Sequence, residues 1–96
     1  MRKEVSNMEH CCREVIKINT KVTDVEKIKG MAQPIITFAN KHDIEFGLSY
    51  NTNNELISNC AADGKTSAYC KGMVAEVKQM LKDAFHCKLD VLLYMN

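Results

Sequence analysis

Apolar residues recur in this chain with two different periods, and the order of the two kinds of segment limits the folds that the chain can adopt. In two stretches they recur every three or four positions, as on one face of a helix. In four shorter stretches they alternate with other residues, as on one face of a strand. The order is strand, helix, strand, strand, helix, strand, so each half of the chain has the pattern of a split βαβ unit.

The four predicted strands differ in the clarity of their alternation. The first begins near Glu14, and the second has the clearest pattern and is followed by an asparagine-rich turn at 51–54. The third runs from Glu55 to about Ala62 and is the weakest, since Ser58 shares a face with apolar residues. The predicted inward positions are Ile16, Ile18, Val22, Ile44, Phe46, Leu48, Tyr50, Leu56, Cys60, Ala62, Leu89, Val91, Leu93 and Met95.

Two amphipathic helices are predicted between these strands. Thr23 or Asp24 caps the first, which runs to about Lys41, and the second follows a polar turn and ends near Phe85. Pro34 removes one hydrogen bond inside the first helix, so we expect a kink there, with a break that exposes helix-end amides to an anion as the alternative. The predicted helical stripes are Val25, Ile28, Ala32, Ile35 and Ala39, then Cys70, Met73, Val74, Val77, Leu81 and Ala84.

This order of elements predicts an α+β fold, the ferredoxin-like βαββαβ two-layer sandwich. We expect a four-stranded antiparallel sheet with both helices on one face. We also expect right-handed crossovers to make the first and third strands parallel neighbours at the centre, with the second and fourth at the edges. Residues 12–96 then form a single domain, and residues 1–11, which show no sustained period, form a flexible N-terminal arm.

Composition and charge narrow the function classes. The formal net charge of +1 gives no general attraction to nucleic acid or to an anionic membrane. No apolar run approaches the roughly 20 residues that span a bilayer, and no signal peptide is evident at the N-terminus. We therefore expect a cytoplasmic protein, whose five cysteines are reduced thiols.

The sheet face that the helices leave bare offers the main candidate binding surface. By alternation it carries mixed polar residues and a small apolar patch on the fourth strand. This patch could bind a partner protein, or a second copy through the sheet edge. The alternative is that the C-terminal residues pack locally. Our candidate binding residues are Lys17, Asn19, Lys21, Leu92 and Tyr94. The other residues predicted on this face are Glu45, Ser49, Ile57, Asn59 and Asp90.

Gly64, Lys65, Thr66 and Ser67 are spaced like the end of a phosphate-binding loop. The glycine that the full motif requires is replaced by Asn59. A turn with a helix cap is therefore the favoured interpretation, and anion binding is the alternative.

Metal and cofactor chemistry has little support in the sequence. Two groups, His10-Cys11-Cys12 and His86-Cys87, have the side chains of metal ligands. The first and fourth strands are expected to run antiparallel, which would place His86 and Cys87 near Val22, at the opposite end of the first strand from Cys11 and Cys12. We therefore predict no metal and no cofactor.

Catalysis and RNA binding have little support either. The histidines at positions 10, 42 and 86 form no trio with a nucleophile, and the last two are expected to cap helix C-termini. The outward positions of the central strands, such as Lys17 and Asn59, carry no aromatic residue for stacking on RNA bases.

Two short stretches resemble known families. Met31-Ala32-Gln33-Pro34 is spaced like the His-Ala-Arg-Pro site of the histidine-containing phosphocarrier family, but Met31 and Gln33 occupy the positions of the phosphorylated histidine and its arginine. The stretch 36–46 resembles the helix-to-strand passage of ACT amino-acid-sensing domains, but Val22-Thr23-Asp24 replaces the expected glycine turn. Each resemblance covers a fragment, and neither assigns a family.

The sequence therefore favours a non-catalytic, regulatory protein-binding module that acts through the open sheet face or an edge strand. Small domains of this kind include inhibitors, among them phage-encoded inhibitors of bacterial defence. Whether the chain is an enzyme stays open. The alternatives are a small-ligand activity, a thiol-based redox activity at Cys60, Cys70 or Cys87, and a degenerate phosphocarrier-like protein.

Overall fold

The computed structural model describes residues 10–96, and their secondary structure follows the predicted order. The strands and helices are β1 (His10–Ile18), α1 (Val25–Lys41), β2 (Glu45–Tyr50), β3 (Leu56–Gly64), α2 (Ser67–Phe85) and β4 (Leu89–Met95). With one four-stranded antiparallel sheet and two helices, the fold is the predicted ferredoxin-like α+β sandwich.

The strand order in the sheet is β2-β3-β1-β4, and every neighbouring pair is antiparallel. The expectation that the first and third strands run parallel is wrong. The β1-α1-β2 crossover leaves a gap of one strand between β1 and β2, and β3 returns from the β2 hairpin into that gap. It therefore runs antiparallel to both neighbours.

β1 begins and ends earlier than the alternation predicts. It pairs with β3 from His10, opposite Gly64, to Ile18, opposite Leu56, so it includes two residues of the predicted arm. Residues 1–9 of that arm lie outside the described residues. Val22 lies beyond the strand, and the last hydrogen bond between the β1 and β4 segments runs from the main-chain amide of Asn19 to the carbonyl of Lys88, at 3.1 Å.

α1 runs unbroken through Pro34. The alternative of a broken helix with free amides is therefore wrong. Pro34 and Gly30 both lie on the solvent side, where water can reach the carbonyl that lost its donor. At the N-terminus Asp24 is the cap, and its carboxylate accepts from the amide of Glu26 at 3.0 Å.

The second helix is also capped as the sequence predicts. The Thr66 hydroxyl accepts from the amide of Tyr69 at 3.0 Å. His42 and His86 occupy the C-cap positions of α1 and α2, and their main-chain amides donate to Phe38 and Lys82. Among residues 10–96 no helix is long and apolar enough to span a membrane.

The core lies between the helices and one face of the sheet. β3 contributes its predicted positions, and Ser58 is fully buried among them with no hydrogen-bond partner for its hydroxyl in the described part of the chain. The main core residues are Cys12, Ile16, Ile18, Ile28, Ile35, Ala39, Ile44, Leu56, Cys60, Ala62, Cys70, Val74, Val77, Leu81 and Phe85.

Candidate functional site

β4 is an edge strand with an unusual exposed surface. Among the described residues it pairs with β1 alone. Its last five residues are all large and apolar, and each is between 46% and 54% exposed. We call these residues the β4 surface: Val91, Leu92, Leu93, Tyr94 and Met95.

A β-bulge distributes these side chains over both faces of the sheet. Val91 lies opposite Ile16 and Leu93 lies opposite Val15, so Leu92 is an extra residue between two neighbouring pairs. Beyond the bulge, the face of every side chain is reversed relative to a regular strand.

The bulge overturns part of the predicted face assignment. Tyr94 lies opposite Glu14, which faces the core, so Tyr94 is on the helix side rather than on the open face. Leu93 and Met95, predicted to point inward, share the open face with the residues opposite them, Val15 and Arg13. The alternation pattern alone contains no signal for the extra residue.

The helices leave the helix side of β4 largely uncovered. α2 packs mainly on β1 and β3, and α1 packs on α2 and β2. Val91 and Tyr94 therefore stay about half exposed although they point toward the helical layer. The β4 surface thus has apolar side chains on both faces of one edge strand.

The buried carboxylate behind this surface has an ionic partner within the protein. Nζ of Lys78 on α2 lies 3.1 Å from Oε1 of the buried Glu14, although the geometry is that of an ion pair rather than a hydrogen bond. Desolvation and, to a smaller extent, a hydrogen bond with Cys12 raise the pKa of the Tyr94 hydroxyl, so this side chain remains neutral. Residues 91–95 themselves therefore present no charge to a partner.

The predicted polar binding residues are occupied elsewhere. Nζ of Lys17 is 3.1 Å from Oε2 of Glu55, whose pKa is lowered by hydrogen bonds from Asn51 and Lys17. The Asn19 amide donates to the carbonyl of Lys88 at 2.9 Å and to the carboxylate of Asp90 at 3.0 Å. These contacts hold the strands together and leave little for a ligand.

Lys21 lies outside the sheet, exposed in the connection that follows β1. Lys17 faces Asp90 across β1 and β4, on the opposite side of the sheet from Tyr94. The structure therefore does not bring the five candidate binding residues into one surface.

Arg13 forms a second polar network on the open face. Its guanidinium donates to Oδ1 of Asn59 at 2.8 Å and to Oε1 of Glu45 at 2.9 Å. The network ties β1 to β3 and β2, and it uses the donors that would otherwise be free for an anion.

Two clefts that β2 helps to line are candidates for small ligands. One, of about 410 Å³, lies at the end of the sheet, and its walls include the paired Lys17 and Glu55. The other is an apolar groove of about 230 Å³ between α1 and β2, lined by residues such as Ile28 and Phe46. The groove is smaller than the roughly 300–1,000 Å³ of typical ligand pockets, and the charges of the first cleft neutralise each other.

Packing and capping account for the turn that resembles a phosphate-binding loop. A Cβ added to Gly64 would lie 2.6 Å from a ring carbon of Tyr69, so glycine is needed there for close packing. Thr66 is the cap of α2, Ser67 is its first residue, and Lys65 is exposed. Neither Gly64 nor Thr66 needs an anion to explain its presence.

Four of the five thiols lie in surroundings that disfavour the reactive thiolate. Burial raises the pKa of Cys60 to about 12 and also raises that of Cys70, which donates to the carbonyl of His10 at 3.4 Å. Burial likewise raises the pKa of Cys87, and a hydrogen bond with Asp63 raises that of the exposed Cys11. Because the thiolate is the nucleophile, these environments weaken the case for redox activity.

The candidate metal ligands remain apart. Within residues 10–96 no group of three or more histidine, cysteine or acidic side chains is placed to hold a metal ion. Cys87 lies beside Asn19, near the end of β1, whereas His10 and Cys11 lie at its start.

No family model matches the chain, and no curated protein shows significant similarity to it.

Proposed function

We propose that this chain is a non-catalytic protein-binding module that acts through the β4 surface. The observation that carries the proposal is the run of five consecutive large apolar side chains, all about half exposed, on an edge strand. An aromatic side chain has on the order of 200 Å² to bury and an aliphatic one has less, so these five half-exposed side chains, of which only Tyr94 is aromatic, present roughly 400 Å². Contiguous apolar patches of this size often mark a protein interaction site.

The charge pattern of the strand supports the same function. Edge strands in soluble proteins are commonly protected by lysine, proline, an inward charge or a bulge. Residues 91–95 contain neither charge nor proline, and only the bulge at Leu92 interrupts the edge. The apolar surface therefore lacks the charges that would keep a partner away.

The experiment is quantitative affinity capture from extracts of the native host. The bait is the wild-type chain or a variant in which Leu93, on the β4 surface, is replaced by lysine. Tyr50→Lys is the matched control, because Tyr50 is 44% exposed on β2 at the opposite edge of the sheet. Circular dichroism and urea unfolding establish that each bait is folded.

We expect the wild type and Tyr50→Lys to capture at least one protein. Untagged copies of this chain count as such a protein. Recovery of the captured protein should fall at least tenfold with Leu93→Lys, because a lysine in an apolar contact must be desolvated. Equal recovery with all three folded baits would contradict the proposal.

A further inference from the structure

We infer that the partner of the β4 surface is a second copy of this chain, paired strand to strand about a twofold axis. The inference rests on the proposed function and names its partner. In such a contact the same patch of both copies meets itself, so the patch must be complementary to itself.

The charges around β4 meet this requirement. Residues 91–95 are uncharged, so antiparallel pairing with a copy opposes no like charges along the apolar run. Lys88 and Asp90 lie at the start of the strand, so in an antiparallel pair centred on Leu93 neither faces its own counterpart or the apolar run of the other copy. Charge patterns often select a foreign partner, and residues 91–95 carry no charge that could do so.

The two-sided exposure also favours a strand beside β4 over a partner on one face. A protein seated on the open face would cover Leu93 and Met95 but leave Val91 and Tyr94 in water. A neighbouring strand brings its own side chains alongside both sets at once. Edge pairing of two copies therefore covers more of the exposed apolar surface than docking on either face.

The area sets the expected strength. With roughly 400 Å² from each copy, the apolar side chains contribute about 800 Å², below the 1,200–2,000 Å² of standard stable interfaces. The paired backbones and the rim of the contact add to this area. We therefore expect a reversible dimer with a dissociation constant in the micromolar range.

The test is sedimentation velocity over about 2 to about 300 µM, a range that spans a micromolar equilibrium. The wild type and Tyr50→Lys should shift from monomer to dimer as the concentration rises. Leu93→Lys and Leu93→Glu should each weaken self-association at least tenfold. An equimolar mixture of the two variants should restore the dimer, because opposite charges then meet across the twofold axis. A fold defect in either variant would not be repaired by mixing.

Three results would overturn the inference: a wild type that stays monomeric throughout, a dimer that Tyr50→Lys disrupts and Leu93→Lys does not, or a mixture that fails to re-associate. The proposed function is judged separately by the capture experiment. A monomeric wild type whose captured proteins are lost with Leu93→Lys rejects the second copy and supports the binding module. If Leu93→Lys changes neither assembly nor capture, both proposals fail.

Discussion

Glu14 places a carboxylate on the buried face of β1, where Lys78 of α2 is its ionic partner. The alternation with Ile16 and Ile18 already puts Glu14 on the core side. Its partner was not predictable in the same way, because the contact depends on how α2 is rotated over the sheet. The helix caps, which depend on local sequence, were predicted better: the cap of α1 was narrowed to Thr23 or Asp24, and that of α2 to the polar turn that contains Thr66.

Removal of Lys78 should destabilise the fold more than removal of an exposed ionic partner. We expect Lys78→Ala to lower the free energy of unfolding by about 2 kcal/mol, less than the loss of a fully buried pair because Lys78 is partly exposed. Glu45→Ala, which breaks the exposed pair with Arg13, should cost less than about 1 kcal/mol. Urea unfolding measures both, and equal losses would show that Glu14 is not held by Lys78.

The raised pKa of Cys60 predicts a loss of stability at alkaline pH. The thiol has a pKa of about 12 in the folded protein, against an ordinary value of 9.0. Between these values the unfolded chain releases its proton and the folded chain keeps it. Stability should therefore fall as the pH rises above 9, by at most about 1.4 kcal/mol per pH unit.

Cys60→Ala is the control for this effect. The variant should be less stable at neutral pH because it leaves a cavity, but its stability should fall less steeply between pH 9 and pH 11. Urea unfolding across this range gives both slopes. Parallel curves for the wild type and the variant would refute the assigned cause.

At the level of single elements, the helices were predicted closely and the edge strand was not. Periodicity and capping residues are local, and they placed the two helices and their buried stripes. The bulge at Leu92 exists only relative to the register of β1, so alternation within residues 89–95 assigned Tyr94 to the wrong face. The end of β1 likewise depends on its pairing with β3 and β4, which lie far along the chain.

Pro34 tests how well α1 tolerates an interior proline. The helix is continuous, yet one hydrogen bond is missing and Pro34 lies on the solvent side. Pro34→Ala should therefore raise the free energy of unfolding by about 2 kcal/mol. The neighbouring Gln33→Ala, also exposed, should change it by less than about 0.5 kcal/mol. Thermal and urea unfolding measure both variants, and a loss of stability in Pro34→Ala would show that the ring is needed for packing.

For the whole molecule, the order of the six segments correctly predicted the two-layer sandwich. The predicted direction of β3, parallel to β1, was wrong. A crossover rule orients β1 relative to β2, but the position of the hairpin's return strand follows from the assembled sheet. The candidate site was predicted in part. The apolar patch on the fourth strand was recognised, whereas its extent, its two faces and the pairing of Lys17 and Asn19 required the structure.

The central claim is that the β4 surface is covered by another protein chain, namely a second copy. The most direct measurement is amide hydrogen exchange of the segments 89–96 and 45–50 at about 2 and about 300 µM, below and above a micromolar dissociation constant. We predict that exchange in 89–96 slows at the higher concentration and that exchange in 45–50 does not change. Exchange in 89–96 that is independent of concentration would contradict the account.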